Sequence, residues 1–144
     1  MQIQRYVGRI SGPLLDRIDI HIDVPAVRFN ELRGKNVPDG ESSESIRERV
    51  LKAREIQRTR LAGDGIFANA AMSPRQIRQH CQIDAHCEAL LERAMVRQGL
   101  SARAHDRILK VTRTIADLDN SPDIQPAHIA EAVGYRSLDR TYWT

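Results

Sequence analysis

Two helices meet at a sharp corner around residues 99–103, and this corner commits the chain to a helical architecture. Gly99 ends one amphipathic pattern, and Ser101 can cap the next helix because its hydroxyl accepts a backbone N–H that the first turn leaves unpaired. After the cap, apolar residues recur at steps of four and three and so share one helical face: Ala104, Ile108, Val111, Ile115 and Leu118. The pattern predicts a helix that runs to about Asp119.

Helix start and stop signals of the same kind divide residues 43–135 into further helices. Ser73 to Gln76 form a capping box with Pro74 at the first helical position, which predicts a short helix ending near Gln82. Asp84 can cap a helix that ends at Gly99 and has one apolar stripe: Cys87, Leu90, Leu91, Ala94 and Met95.

Two more helices flank this group. A charged helix is predicted from about Ser43 to Leu61, with Ile46, Val50 and Ala53 on its apolar stripe, and Pro126 begins a short helix that Gly134 ends. The fold class is therefore all-α, a bundle of four or five helices over residues 43–135.

One strand pattern precedes the bundle. Residues 18–24 alternate strictly, with Ile18, Ile20, Ile22 and Val24 on one face, and Pro25 ends the run. A lone strand without a partner is not stable in water, so residues 1 to about 41 are expected to be disordered or loosely packed in the isolated chain. Residues 30–42 contain glycine, proline and charged residues and are interpreted as a linker.

Composition narrows the function classes. The chain of 144 residues carries a formal charge of +3, which permits contact with nucleic acid without requiring it. No apolar run is long enough to span a membrane, and the N-terminus does not resemble a signal peptide. Two cysteines make no disulfide framework, so a cytoplasmic location is expected.

Two side-chain clusters look like metal sites but fit this role poorly. The first cluster is Asp19, His21 and Asp23 in the strand pattern, where any half-exposed strand shows alternating polar residues. The second is formed by the pairs His80-Cys81 and His86-Cys87 between helices, and adjacent residues on a helix rarely bind one ion. We therefore expect no metal site at either cluster.

Two arginines lie in the first two turns after the corner. A helix N-terminus attracts anions, and the planar fork of Arg103 could grip a phosphate there, with Arg107 one turn later. A solvated charged face would show the same spacing.

Two segments together resemble a known family. Ile10 to Asp19, with Leu14-Leu15-Asp16-Arg17 followed by the alternating strand, resembles the end of the ATPase core in the magnesium-chelatase-like AAA+ ATPases, in the branch of YifB and ComM. Leu100 to Leu118 resembles the C-terminal helical lid of the same branch. The resemblance implies that residues 1–29 are a remnant of the core, that residues 43–135 are the lid and that residues 136–144 are a tail.

This resemblance implies roles for individual residues. Arg17 would be an arginine finger that acts in trans on the nucleotide of the adjacent subunit, with Asp16 in support. Arg103 would be the second sensor, which contacts an ATP phosphate. Arg9 is the weaker alternative to Arg17, and Arg107 the weaker alternative to Arg103.

The chain has no phosphate-binding loop of the form G-x-x-x-x-G-K-[ST]. We therefore expect this chain alone to be no enzyme and to bind no cofactor. The resemblance implies an upstream P-loop core in the same protein, ATP and Mg²⁺ as ligands of that whole protein, and a homo-oligomeric ring, by analogy a hexamer, that does not involve a membrane.

The expected function is to couple ATP binding and hydrolysis to motion in that ring. The whole protein would be an ATPase that remodels DNA, for example by branch migration, or a chelatase that inserts metal into a tetrapyrrole. The alternative is a free-standing helical nucleic-acid-binding module that uses the basic helix at 43–61 and the corner at 99–103.

Overall fold

The computed structural model describes residues 14, 17–22, 24–26 and 40–136, and over residues 40–136 the chain folds into five α-helices. These are α1 (Ser43–Leu61), α2 (Pro74–His80), α3 (Ala85–Gln98), α4 (Ala102–Leu118) and α5 (Pro126–Gly134). Two 3₁₀ turns, Ala62–Asp64 and Asn69–Ala71, link α1 to α2. The all-α prediction is confirmed, since no described residue lies in a strand.

The predicted helix caps are present. Ser73, Asp84 and Ser101 each accept the backbone N–H three residues further on, at 3.4, 2.7 and 3.3 Å. Gly99 ends α3 with φ of 63°, the left-handed region that glycine enters without steric cost. The bounds of α1, α3 and α4 agree with the predicted ones, while α2 ends two residues before the predicted Gln82.

Helix α4 occupies the centre of the bundle. It contacts α1, α2, α5 and the second 3₁₀ turn, and α5 also packs against α3. The apolar core between these elements consists of Leu61, Met72, Ile77, Cys81, Cys87, Leu91, Ala94, Ile108, Leu109, Ala116, Ile124, Ile129, Ala132 and Val133. A displacement of α4 would therefore move most of the bundle with it.

The buried face of α4 differs from the predicted one. Ala104 and Ile108 are buried as expected, but Val111 and Ile115 are only partly buried and Leu118 is 38% exposed. The buried face instead includes Leu109, Ala116 and several polar residues, among them Thr112, Arg113 and Asp117. The apolar spacing misplaced the face because it ignores polar residues, of which Arg113 and Asp117 are buried as an ion pair.

The apolar stripe of α1 is also only partly buried. Ala53 lies in the core, whereas Ile46 and Val50 are 42% and 43% exposed. The buried positions of α1 are Ala53, Gln57 and Leu61, all in its second half. Only this half of the helix is covered by described residues.

A buried polar network fastens α1 to α4 around Asp117. Its Oδ1 accepts hydrogen bonds from Arg60 and from Nε of Arg113, the latter at 3.1 Å, and its Oδ2 accepts one from Nδ2 of Asn69 at 2.8 Å. The Arg113 guanidinium also donates to the backbone carbonyls of Ser121 and Pro122, at 2.6 and 2.8 Å. The buried carboxylate thus pairs with the buried Arg113 and the partly buried Arg60.

The predicted strand is not formed by the described residues of its segment. Residues 18–22 and 24 have irregular backbone, because a strand requires a hydrogen-bonded neighbour and this segment contacts helices instead. Most of the predicted linker 30–42, all but the first residue of the tail 136–144 and the greater part of residues 1–29 lie outside the described residues.

Candidate functional site

Arg103 lies in the first turn of α4, two residues after the cap. Its side chain is exposed, and within the described part of the chain its guanidinium forms no hydrogen bond or ion pair. The unpaired N–H groups of the first helical turn point in the same direction as the helix dipole, so an anion at this end would be favoured. Arg103 is therefore placed where it can add a planar, bidentate donor to that anion.

The side chain of Arg107 binds the N-terminal segment. One turn after Arg103 and on the same side of α4, its Nη1 donates to the backbone carbonyl of Arg17 at 2.8 Å and to the carboxylate of Asp19. These bonds use both N–H groups of Nη1. Of Arg103 and Arg107, the geometry favours Arg103 for anion binding and gives Arg107 a structural contact.

Arg17 is held by its backbone and presents an exposed side chain. Its N–H donates to the carbonyl of Leu14 at 3.0 Å, and its own carbonyl accepts the bond from Arg107. The structure thus brings Arg17 and Arg107 into contact, with Arg103 one helical turn away. Asp16 and Arg9 lie outside the described residues.

Sequence reasoning missed Arg136. This residue is 1% exposed, and its Nη1 donates to the backbone carbonyl of Ile18 at 2.9 Å. Its neighbour Tyr135 accepts a hydrogen bond at its backbone carbonyl from the N–H of His21, at 2.8 Å. An arginine just after a helix-ending glycine looks like the start of a tail, and no local pattern distinguishes it from one.

An apolar cavity of about 310 Å³ lies between residues 19–22 and the helices α4 and α5. Ile20, Ile22, Val111 and Ile115 supply much of its wall. At its edge the Tyr135 hydroxyl donates to the Glu131 carboxylate at 2.9 Å, and this bond raises the pKa of Tyr135 above its usual value. The cavity is a hydrophobic contact zone and brings no cluster of reactive side chains together.

Both cysteines lie in the apolar core. Cys81 and Cys87 are 4% and 0% exposed, and burial raises the pKa of both thiols to about 11. Nε2 of His80 lies 2.8 Å from Asp64 Oδ2, and this hydrogen bond lowers the pKa of the Asp64 carboxyl. Among the described residues, no three histidine, cysteine or acidic side chains come together as metal ligands would.

The other candidate metal cluster belongs to the predicted strand. Its Asp19 is paired with Arg107, and its Asp23 lies outside the described residues.

The charges of α1 are partly neutralised. Arg49 makes a bidentate pair with Glu41, both bonds at 2.9 Å, and Arg58 lies 3.4 Å from Glu55. Arg60 belongs to the buried network around Asp117. Half of the six basic residues of this helix are therefore paired with carboxylates, which reduces its potential as a nucleic-acid surface.

In the part of the chain that is described, no helix is long and apolar enough to cross a membrane.

Comparison with known proteins identifies the relatives of this chain. Residues 40–136 match the family model of the magnesium chelatase subunit ChlI C-terminal region, and residues 1–32 match the model of magnesium chelatase subunit ChlI. The competence protein ComM of Haemophilus influenzae is 46% identical over 140 residues. The YifB proteins of Escherichia coli and Salmonella typhimurium are 42% and 39% identical over 139 residues each.

Each of these three alignments covers 96% of this chain and 26% of the relative, so the chain spans about a quarter of their length. The C-terminal model alone covers more than half of the chain, from the residues before α1 to Arg136. The chain therefore belongs to the ChlI C-terminal family of the magnesium-chelatase-like AAA+ ATPases and is similar to its ComM and YifB members.

Proposed function

We propose that this chain is the C-terminal lid and sensor region of a magnesium-chelatase-like AAA+ ATPase and couples ATP binding and hydrolysis to motion in a ring-shaped oligomer. The observation that carries the proposal is the placement of Arg103. It lies exposed at the N-terminus of α4, the central helix, and has no partner among the described residues. A phosphate bound by Arg103 would therefore pull on the helix against which α1, α2 and α5 are packed.

The residues present fit one part of an ATP site. Arg103 offers donors to a terminal phosphate, while the sequence has no loop of the P-loop type to cradle the remaining phosphates. When bound in the whole protein, ATP with Mg²⁺ would supply the phosphoryl group that is transferred to water. The lid would contribute a cation that senses whether that group is present.

Arg17 is proposed as the finger that serves the adjacent subunit. Its exposed side chain can reach outward while its carbonyl is fixed by Arg107. A guanidinium supplied in trans stabilises the charge that spreads over the transferred phosphoryl oxygens, and such fingers contribute about 10³–10⁵ in rate in well-studied NTPases. Asp16 is proposed to support Arg17.

For the whole protein we propose DNA remodelling in preference to metal insertion. The relative from Haemophilus influenzae is named a competence protein, which favours work on DNA such as branch migration. Insertion of a metal into a tetrapyrrole is the less favoured activity, since it rests on the family name alone.

A second candidate function, a helical nucleic-acid-binding module, has one observation in its favour. Arg47, Lys52 and Arg54 are exposed on α1 and unpaired with respect to the described residues. Salt-dependent binding of duplex DNA by this chain alone, weakened by alanine at these three positions, would support this candidate. Binding that is absent at physiological salt would reject it.

The test of the main proposal uses the full-length protein that carries this chain. Arg103→Ala should lower ATP turnover by about 10²-fold, as expected when a positioned donor to the reacting oxygens is removed, and should weaken nucleotide binding. Arg103→Lys should restore little, because a point charge does not replace the planar fork.

The matched control is Arg54→Ala, which removes an exposed arginine of α1 that has no described partner. It should leave turnover within about twofold, as for an ordinary surface substitution. Equal turnover in Arg103→Ala and Arg54→Ala would contradict the sensor role.

A further inference from the structure

Two arginines from different parts of the lid hold consecutive carbonyls of the N-terminal segment. Arg107 of α4 donates to the carbonyl of Arg17 at 2.8 Å, and Arg136, just after α5, donates to the carbonyl of Ile18 at 2.9 Å. Arg107 also pairs with the Asp19 carboxylate. We call this group of contacts, made by Arg107 and Arg136 to residues 17–19, the clasp.

Hydrophobic burial alone does not explain how the segment is held. Its apolar side chains are only partly buried, since Ile18, Ile20 and Ile22 are 41%, 45% and 68% exposed, although Ile20 and Ile22 line the apolar cavity. Charge-assisted hydrogen bonds are the strong contacts that remain, and they are directional. These bonds therefore fix the segment in one register and orientation. Burial of apolar surface alone would not do so, because it is not directional.

The positions of the two arginines argue for a dedicated contact. Arg136 is 1% exposed, and burying a guanidinium is unfavourable unless its donors are satisfied, as the Ile18 carbonyl helps to do. Three residues after Ile18, the N–H of His21 donates to the carbonyl of Tyr135 at 2.8 Å. Within residues 17–21, the backbone thus meets the lid at three points.

We infer that Arg107 and Arg136 are positioning residues: through the clasp they carry movement of the lid to the exposed side chain of Arg17. This inference rests on the proposed function. The lid would take its position from the nucleotide that Arg103 senses. Because the clasp joins the lid to the backbone of Arg17, a movement of the lid would also move the Arg17 side chain that is proposed to act on the neighbouring subunit.

The first arm of the test measures the clasp without any catalytic readout. In the 144-residue chain, Arg107→Ala and Asp19→Asn should speed amide hydrogen exchange at His21 by about tenfold or more, as expected when a charged hydrogen bond that orders a segment is lost. Exchange within α3 should stay unchanged. Arg103→Ala, one turn earlier on the same helix, is the matched control and should leave His21 unaffected.

The second arm measures turnover in the full-length protein. Arg107→Ala should lower kcat by about 10²-fold, the loss expected for a misplaced catalytic group, with KM for ATP near that of the unmodified protein. Arg107→Lys should recover most of the loss, because a lysine ammonium can still donate to a carbonyl and pair with Asp19. This rescue separates a positioning role from the bidentate role proposed for Arg103.

Each outcome decides the inference. Unchanged exchange at His21 in Arg107→Ala would overturn the clasp. Faster exchange with unchanged kcat, while Arg17→Ala still abolishes turnover, would overturn the link from clasp to finger and leave the proposed function standing. If Arg17→Ala and Arg103→Ala both leave turnover intact, the proposed function fails and the inference fails with it, even where exchange shows that the clasp exists.

Discussion

Replacing Asp117 by asparagine should show how strongly the helical bundle depends on its buried charges. The Asp117 side chain is 0% exposed, and its carboxylate is the shared partner of Arg60 and Arg113. Asparagine keeps the size and shape of the side chain but removes the negative charge. Arg113, whose side chain is 6% exposed, would then lack a counter-ion.

The expected loss follows from this geometry. Removing one partner of a buried ion pair lowers the free energy of unfolding by about 3–5 kcal/mol, because the remaining charge stays desolvated. Domains of this size have a total stability of roughly 5–15 kcal/mol, so the variant should lie near the limit of folding. The matched control is Glu55→Gln, which neutralises a carboxylate paired with Arg58 where the two side chains are 69% and 65% exposed. Its effect should be about 0.5 kcal/mol or less.

Urea denaturation of the chain, followed by far-ultraviolet circular dichroism, measures both values. Asp117→Asn should shift the midpoint to much lower urea at an unchanged slope, and Glu55→Gln should leave the midpoint almost where it was. If the two variants lose the same small amount of stability, the view that Asp117 holds the buried Arg113 and the partly buried Arg60 in place is refuted.

Four further predictions follow from the described contacts. Cys81 and Cys87 should resist thiol reagents at pH 8 until the chain is unfolded by urea, because both have pKa values of about 11 and are buried. Ser101→Ala should lower the free energy of unfolding by about 1 kcal/mol through loss of the α4 cap, as measured by the same denaturation assay. The hydrogen bond with His80 lowers the pKa of Asp64 from its usual 3.8, so the Asp64 carboxylate stabilises the fold above that pH and this contribution is lost as pH falls through the folded pKa. Asp64→Asn should therefore flatten the acid side of the stability–pH curve. The isolated chain should bind ATP weakly or not at all in calorimetry, because it has no phosphate-cradling loop.

The helices were predictable because their signals are local. Ser73, Asp84 and Ser101 each cap a helix by accepting a backbone N–H only three residues away. Gly99 ends a helix with a positive φ, which depends on that residue alone. Such features depend on neighbouring residues and can be inferred without knowledge of the fold.

The polar core was not predictable because its partners are distant in sequence. Arg60 and Asn69 meet Asp117 across 57 and 48 residues, and nothing in either local pattern indicates that these side chains become buried. The same reason explains the wrong face of α4. A residue such as Thr112 looks solvated by its chemistry, yet it is 0% exposed beside Arg113 and Asp117.

The candidate site divides in the same way. Arg103 and Arg107 could be singled out because they follow a recognisable cap, but spacing alone could not predict the contact of Arg107 with residue 17, which crosses 90 positions. Arg136 was missed for the same reason, since its partner Ile18 is 118 positions away. The roles of Arg17 and Arg103 stay predictions, as does that of Asp16, which lies outside the described residues.

Mixing two inactive subunits of the full-length protein tests the central claim most directly. An Arg17→Ala subunit lacks the proposed finger, and a second subunit with a disabled P-loop keeps Arg17 but cannot hydrolyse ATP. In a mixed ring, some interfaces join an intact P-loop to an intact finger, so a finger that acts in trans should restore part of the ATPase activity. Rings that are shown to contain both subunits and yet remain inactive would contradict the role of Arg17 as the finger.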